Sequence, residues 1–163
     1  MNNNLILIPA RSGTTNISRQ NLRFIGNKPL IYYVIKSALK ITPDVYVSTD
    51  SYEIRELSKL YGAKIINRSK QLTKNSTKLE DIAFEALSKI HNEKNFTKCL
   101  ILNPKYPLIK SSTIKKFFST LNKNIQTVYG FEFYPQHQYK KISFNGNQIG
   151  KILNDISNCV ITE

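Results

Sequence analysis

The chain has 163 residues, 40% hydrophobic and 10% aromatic, enough to bury the core of one ordinary domain and too apolar for a disordered or fibrous chain. No apolar run approaches the roughly 20 residues that cross a bilayer, and MNNNLILIPAR has no basic stretch ahead of a long apolar one, so a soluble, cytoplasmic protein with no membrane partner is expected. The net charge of +13 does not imply a nucleic-acid partner, because the lysines are scattered, often beside asparagine as in KNSTK and NEKN, rather than gathered into an arm or stripe.

Leu5–Ala10 (LILIPA) reads as a short buried strand followed by a polar loop. Pro29–Ile41 places Leu30, Ile31, Val34, Ile35, Ala38 and Leu39 at helical spacing, with Pro29 suited to a first turn. DVYVSTD predicts a second strand ending at Asp50, and the next helix has Ser51 as its N-cap and Gly62 at its end. Ala63–Asn67 reads as a third strand. A helix is predicted from Asn75 or Ser76 to about His91, with Leu79, Ile82, Ala83, Ala86, Leu87 and Ile90 on one face. Thr97–Asn103 is apolar without alternation, the pattern of a strand buried on both faces. Ser111–Leu121 follows as a helix and Ile125–Phe131 as a strand. From Tyr139 to Leu153, YKKISF and QIGKIL flank the turn NGN and predict a hairpin. Strands separated by helices imply an α/β fold with a mostly parallel, doubly wound sheet, whose ligands bind beyond the carboxyl ends of the strands.

The loop after the first strand, PARSGTTNISRQNLRFIGNKPL, is neither GxGxxG nor a P-loop. It carries Arg11, Arg19, Arg23 and Lys28, with donors from Ser12, Gly13 and Thr14. Such a loop suits a polyphosphate, and it equally suits a solvated basic surface. Cys99, inside CLIL, reads as a small buried hydrophobe. Cys99 and Cys159 lack CxxC spacing, and His91 and His137 are isolated in sequence, so no thiol or imidazole metal centre is predicted.

The same loop, with IPARSG, ISRQNL and IGNKPLIYYVI in register, resembles the opening signature of the acylneuraminate (sialic acid-type) cytidylyltransferases, which make CMP-activated nine-carbon acidic sugars. VYVSTDSYEIRELSKLYGAKIINRS, LTKNSTKLEDIAFEAL and LILNPKYPLI resemble later family segments in the same order, and YPQHQYKKISFNGNQIGKI is similar to the stretch where the family's dimerisation subdomain begins. The resemblance implies a three-layer, Rossmann-type fold of the nucleotide-diphospho-sugar transferase kind. It implies one domain over residues 1–163, a dimerisation hairpin beginning at about 135–155, and a homodimer. The implied reaction transfers CMP from CTP to a sialic or legionaminic acid-like sugar and releases pyrophosphate.

Carried over by position, Arg11 is the catalytic candidate near the phosphates, and Ser12, Gly13, Asn21 and Arg68 join it at the nucleotide. Asn103 stands near the acidic sugar, and Lys28 is expected to close a turn. Mg²⁺ is the implied cofactor. Asp50, at the end of the second strand, suits either a magnesium-associated carboxylate or an acid beside the Ser51 cap.

The family loop reads RSGSKGIPRKN where this chain has RSGTTNISRQN, so Thr15 and Gln20 replace two lysines, Asn16 a glycine and Ser18 a proline. Asn75 replaces an acid, and Lys105 and Tyr106 replace a Thr-Ser pair. The family pattern continues beyond Glu163, with sugar contacts made across the dimer and an aspartate pair for Mg²⁺, so this C-terminal part is expected to lie outside the chain. Asp155 is isolated and Asp81 shares a helix with Glu80, so neither offers a substitute pair. A second reading follows: a nucleotide- or sugar-binding remnant with impaired catalysis, unless Arg19 or Arg23 compensates for the lost lysines.

Overall fold

In the computed structural model, which describes residues 3–13, 17–90, 96–120, 127–130 and 158–162, the apolar runs become a six-stranded sheet. The elements are β1 (Asn4–Pro9), β2 (Phe24–Ile25), β3 (Lys28–Pro29), α1 (Leu30–Leu39), β4 (Val45–Thr49), α2 (Tyr52–Leu60), β5 (Lys64–Asn67), α3 (Leu79–Ile90), β6 (Lys98–Ile101), α4 (Ser111–Thr120), β7 (Thr127–Gly130) and β8 (Asn158–Thr162). Short 3-10 turns occupy Gln20–Leu22 and Lys70–Thr73. The sheet runs β5-β4-β1-β6-β8-β7 with every pairing parallel, while β2 and β3 form a separate antiparallel hairpin.

Alternation along β1 divides the core into two layers, as a strand covered on both faces requires. Ile6 and Ile8 pack with Val45, Val47, Leu100 and Leu102 against Ile31, Val34, Ile35 and Ala38 of α1, Ile54 of α2, and Ile114 and Phe118 of α4. Leu5, Leu7, Tyr46, Cys99 and Ile101 face the other way, onto Ala83, Ala86, Leu87 and Ile90 of α3 and onto Phe96. Each buried Val, Leu, Ile or Phe among them contributes about 1.5–3 kcal/mol by its burial, against about 1 kcal/mol for a typical cap. This is the expected three-layer, doubly wound α/β fold, and Cys99 is the buried hydrophobe that its apolar run implied.

Several element ends differ from the sequence reading. Pro29 is not in the first turn of α1 but caps it from an extended conformation (φ −66°, ψ 151°), because it also ends β3 and pairs with Phe24. Helix α3 begins at Leu79 rather than at Asn75 or Ser76, because Asn75 is turned toward Arg11 and Thr77 N closes a turn on Lys74 O (3.2 Å). Strand β8 was not predicted at all, yet it lies between β6 and β7. A strand flanked on both sides shows no alternation, and its apolar core is only Cys159–Ile161. Ser51 does cap α2, accepting a hydrogen bond from Ile54 N (3.4 Å), and Gly62 follows it at φ 98°, the left-handed region that favours glycine. The predicted hairpin at 139–153 and the dimer element at 135–155 lie outside the described residues.

From β1 the chain moves to one side, through β4 to β5, and then returns to the other side at β6. The order therefore reverses between β1 and β6, and a crevice opens beyond their carboxyl ends.

Candidate functional site

The loop that leaves β1 is folded onto itself by a buried amide. Asn21, 7% exposed, donates from Nδ2 to Arg11 O (2.9 Å), which holds the start of the loop against its return. Leu22 N donates to Arg19 O and Leu30 N to Arg23 O, which closes the loop onto α1. A Cβ at Gly13 would lie 3.1 Å from Arg19 N, so the loop packs closely there. Arg19 adopts the left-handed conformation (φ 54°, ψ 33°), a cost of about 1–2 kcal/mol for a residue with a Cβ. Its guanidinium pairs with Glu53 of α2 at 2.6 Å.

Arg68 enters from the end of β5. Its Nε donates to Ser48 Oγ (3.2 Å), its Nη2 to Ser48 O (2.7 Å), and its backbone N to Thr49 O (3.0 Å). The side chain is thus fixed to β4 and buried. Burial pushes the guanidinium below its ordinary pKa; the charges of Asp50 and Glu85 oppose that, and the positive charge of Arg11 adds to it. Across the crevice, Asn103 follows β6 and accepts from Lys105 N at Oδ1 (3.0 Å), while Tyr106 N donates to Asn103 O (3.2 Å). That tight turn carries Lys105 and Tyr106 into the same wall.

These groups enclose a cavity of ≈ 470 Å³ at the β1–β6 reversal. Four cations line it (Arg11, Arg68, Lys74 and Lys105), and no carboxylate does among the described residues. The remaining polar wall includes Gln20, Asn21, Asn75, Thr77, Asn103 and Tyr106, and Leu72, Leu79, Ile82 and Ile101 give it an apolar floor. Cations around a concave, partly apolar site suit an anion joined to an apolar body. A second hollow of ≈ 550 Å³ lies between α1 and residues 107–112, but none of the predicted site residues lines it.

Of the predicted site residues, the fold brings Arg11, Asn21, Arg68 and Asn103 into this one cavity. Ser12, Gly13 and Asp50 are not in its wall. Arg19 and Arg23 are also elsewhere, Arg19 on Glu53 and Arg23 donating from Nε to Ser18 O (3.2 Å), so neither replaces a lost loop lysine in the wall. Lys28 sits in the β2–β3 hairpin with its Nζ 5.5 Å from the Tyr32 ring centroid, which agrees with a turn-closing role. Asp50 acts electrostatically on Arg68, and its buried Oδ1 makes no hydrogen bond among the described residues. One unmatched oxygen is not a metal cage, and no group of three His, Cys, Asp or Glu side chains forms among the described residues. Sequence reasoning missed Lys74 and Thr77, which reach the cavity because residues 74–78 are not helical.

The cytidylyltransferase family profile matches residues 5–155. The pseudaminic acid cytidylyltransferase of Campylobacter jejuni is 34% identical over 127 residues, which cover 74% of this chain and 54% of that protein. The CMP-N,N'-diacetyllegionaminic acid synthase of Legionella pneumophila is 32% identical over 115 residues, or 68% of this chain and 50% of that enzyme. A Helicobacter pylori protein that joins a pseudaminic acid cytidylyltransferase to a hydrolase is 33% identical over 135 residues, 80% of this chain and 26% of that protein. The chain thus spans between about a quarter and about half the length of these relatives. Among solved structures, CMP:2-keto-3-deoxy-manno-octonic acid synthetase complexed with CTP superposes with a TM-score of 0.58 at 22% identity, over 72% of this chain and 46% of that one. A cytidylyltransferase from Leptospira borgpetersenii gives 0.60 at 19% identity, over 74% and 49%. These two likenesses concern the fold. The family match, spanning strands β1 to β7, the crevice and its loop, makes this chain a member of the cytidylyltransferase family.

Proposed function

We propose that the chain binds CTP in the β1–β6 cavity and, within a cytidylyltransferase, transfers CMP to a nine-carbon acidic sugar of the sialic or legionaminic type. The observation that carries this reading is the cavity wall, with four cations and no carboxylate among the described residues, at the ligand-binding edge of the sheet. Two anions must meet there, a triphosphate and a sugar acid, and cations lower the cost of bringing them together.

In the proposed reaction the anomeric hydroxyl oxygen attacks the α-phosphorus in line. A new P–O bond forms, the bond to the bridging oxygen breaks, pyrophosphate leaves, and the hydroxyl proton passes to solvent. Arg11 and Arg68 are proposed to neutralise charge on the phosphates, with Asn21 holding the Arg11 backbone in place. Asn103 is proposed to face the sugar. Mg²⁺ is proposed to enter on the triphosphate, since the described wall offers cations rather than carboxylates.

A second reading, a binding module without turnover, is favoured by one observation: neutral Gln20 lines the cavity where the family pattern has a lysine. The two readings separate when the purified chain is given CTP, Mg²⁺ and a panel of nine-carbon acids. Pyrophosphate release supports the enzyme; CTP binding by calorimetry without release supports the module. An Arg11→Ala chain that binds CTP as well as the wild type would remove Arg11 from the site. A cytoplasmic homodimer is proposed from the family resemblance, and a single monomeric species in sedimentation velocity would refute the dimer.

A further inference from the structure

Four described cations meet a carboxylate, and Arg11 is not among them. Arg19 meets Glu53, Lys59 meets Glu56, Lys64 meets Asp44 and Lys89 meets Glu85, each at 3.0 Å or less. Arg11 instead donates from a terminal guanidinium nitrogen to the amide oxygen of Asn75 at 2.7 Å, across 64 residues of sequence. Both residues line the cavity, and Asn75 is carried there by the non-helical stretch before α3, between Lys74 and Thr77 of the same wall. A carboxylate at that distance would fix the guanidinium equally well but would cancel its charge toward an incoming anion. An amide oxygen fixes it and leaves the charge uncompensated. Position 75 is also where the family pattern has an acid, in a chain whose loop has lost two lysines.

Resting on the reading of this cavity as the nucleotide site, we infer that Asn75 is a positioning residue for Arg11, one that orients its guanidinium over the cavity while preserving its charge for phosphate. The loss of the acid at position 75 offsets part of the charge that Thr15 and Gln20 removed from the loop.

The test uses the whole chain with two probes, CTP and inorganic tripolyphosphate, titrated by calorimetry at two salt concentrations. Asn75→Asp keeps the acceptor and adds a charge; Asn75→Ala removes the acceptor and adds none. Asn75→Asp is expected to bind both probes about 10-fold more weakly, with a shallower salt dependence, at a melting temperature no lower than that of the wild type. Asn75→Ala is expected to lose less affinity than Asn75→Asp. In an Arg11→Ala background the Asn75→Ala effect is expected to vanish, as a coupled pair requires, while the Asn75→Asp loss shrinks to the direct repulsion of the added charge. Wild-type affinity in Asn75→Asp overturns the inference and leaves the nucleotide site standing. Equal losses in both variants with a lowered melting temperature assign Asn75 to the fold alone and also overturn it. A wild-type chain that binds neither probe overturns both the inference and the reading it rests on.

Discussion

Arg68 holds a position that no other cation can fill. Its Nε and Nη2 are spent on Ser48, and the planar fork leaves further N–H groups on the cavity side of a buried guanidinium. Lysine carries the same charge on one nitrogen, and it cannot hold both Ser48 oxygens in that geometry while facing a phosphate. Arg68→Lys is therefore expected to resemble Arg68→Ala in CTP affinity, both falling about 10- to 100-fold by calorimetry, since a charged hydrogen bond contributes about 1.5–3 kcal/mol. A lysine variant that binds like the wild type would show that charge alone, not the fork, matters at this position. Arg11, Asn21, Arg68 and Asn103 were legible in the sequence because each follows a strand or belongs to a recognisable loop frame. Lys74 and Thr77 were not, since their approach depends on where α3 begins, and that depends on a long-range contact from Asn75 to Arg11. The ion pair of Arg19 with Glu53 was not legible either, because it joins the loop to another element.

Between elements, Glu85 joins α3 to the chain that leaves β5. Its carboxylate accepts from Ser69 N (3.1 and 3.3 Å) and from Lys89 Nζ (2.8 Å), and Lys89 also donates to Asn67 O (2.6 Å). Partial burial raises the Glu85 pKa, but the bonds from Lys89 and Ser69 outweigh it and hold the carboxyl below its ordinary value. A depressed carboxylate stabilises the fold at pH values above its unfolded pKa, and this stability is lost as the pH falls through the folded value. Glu85→Gln is accordingly expected to be less stable than the wild type at pH 7 by about 0.5–1 kcal/mol, with the gap closing as acid protonates the wild-type group. Urea unfolding at a series of pH values measures this, and a gap that persists unchanged at acid pH would contradict it. The elements themselves were read well wherever one periodicity ran for two or more turns, as in α1, α2 and the body of α3. Their ends were read less well, because Pro29 serves a hairpin as well as a helix and Asn75 serves the cavity. β8 could not be read, since a short strand between two others is fixed by its neighbours rather than by its own pattern.

At the scale of the whole molecule, the cavity draws its wall from three separate parts of the chain: the loop after β1, the stretch from Arg68 to Ile82, and the turn after β6. The strands beneath are locked by both core layers, and the Arg11–Asn75 hydrogen bond ties the first part to the second. Like charges from Arg11, Arg68, Lys74 and Lys105 meet there without a lining carboxylate among the described residues, an arrangement that costs the empty protein some stability. A polyanion that fills the cavity removes this repulsion and bridges all three parts, so it binds the native state and not the unfolded chain. Linkage then requires that CTP stabilise the fold, by about 2.7 kcal/mol at a concentration 100 times its Kd. For a chain of this size that corresponds to a rise of roughly 5–10 °C in the unfolding midpoint. Cytidine lacks the phosphates and is expected to shift the midpoint far less at the same concentration, whereas tripolyphosphate should retain much of the rise. Differential scanning calorimetry decides between these outcomes. Equal shifts from cytidine and CTP would mean that the cations of the wall do not contact phosphate, and that the charge gathered at the β1–β6 reversal serves some other anion.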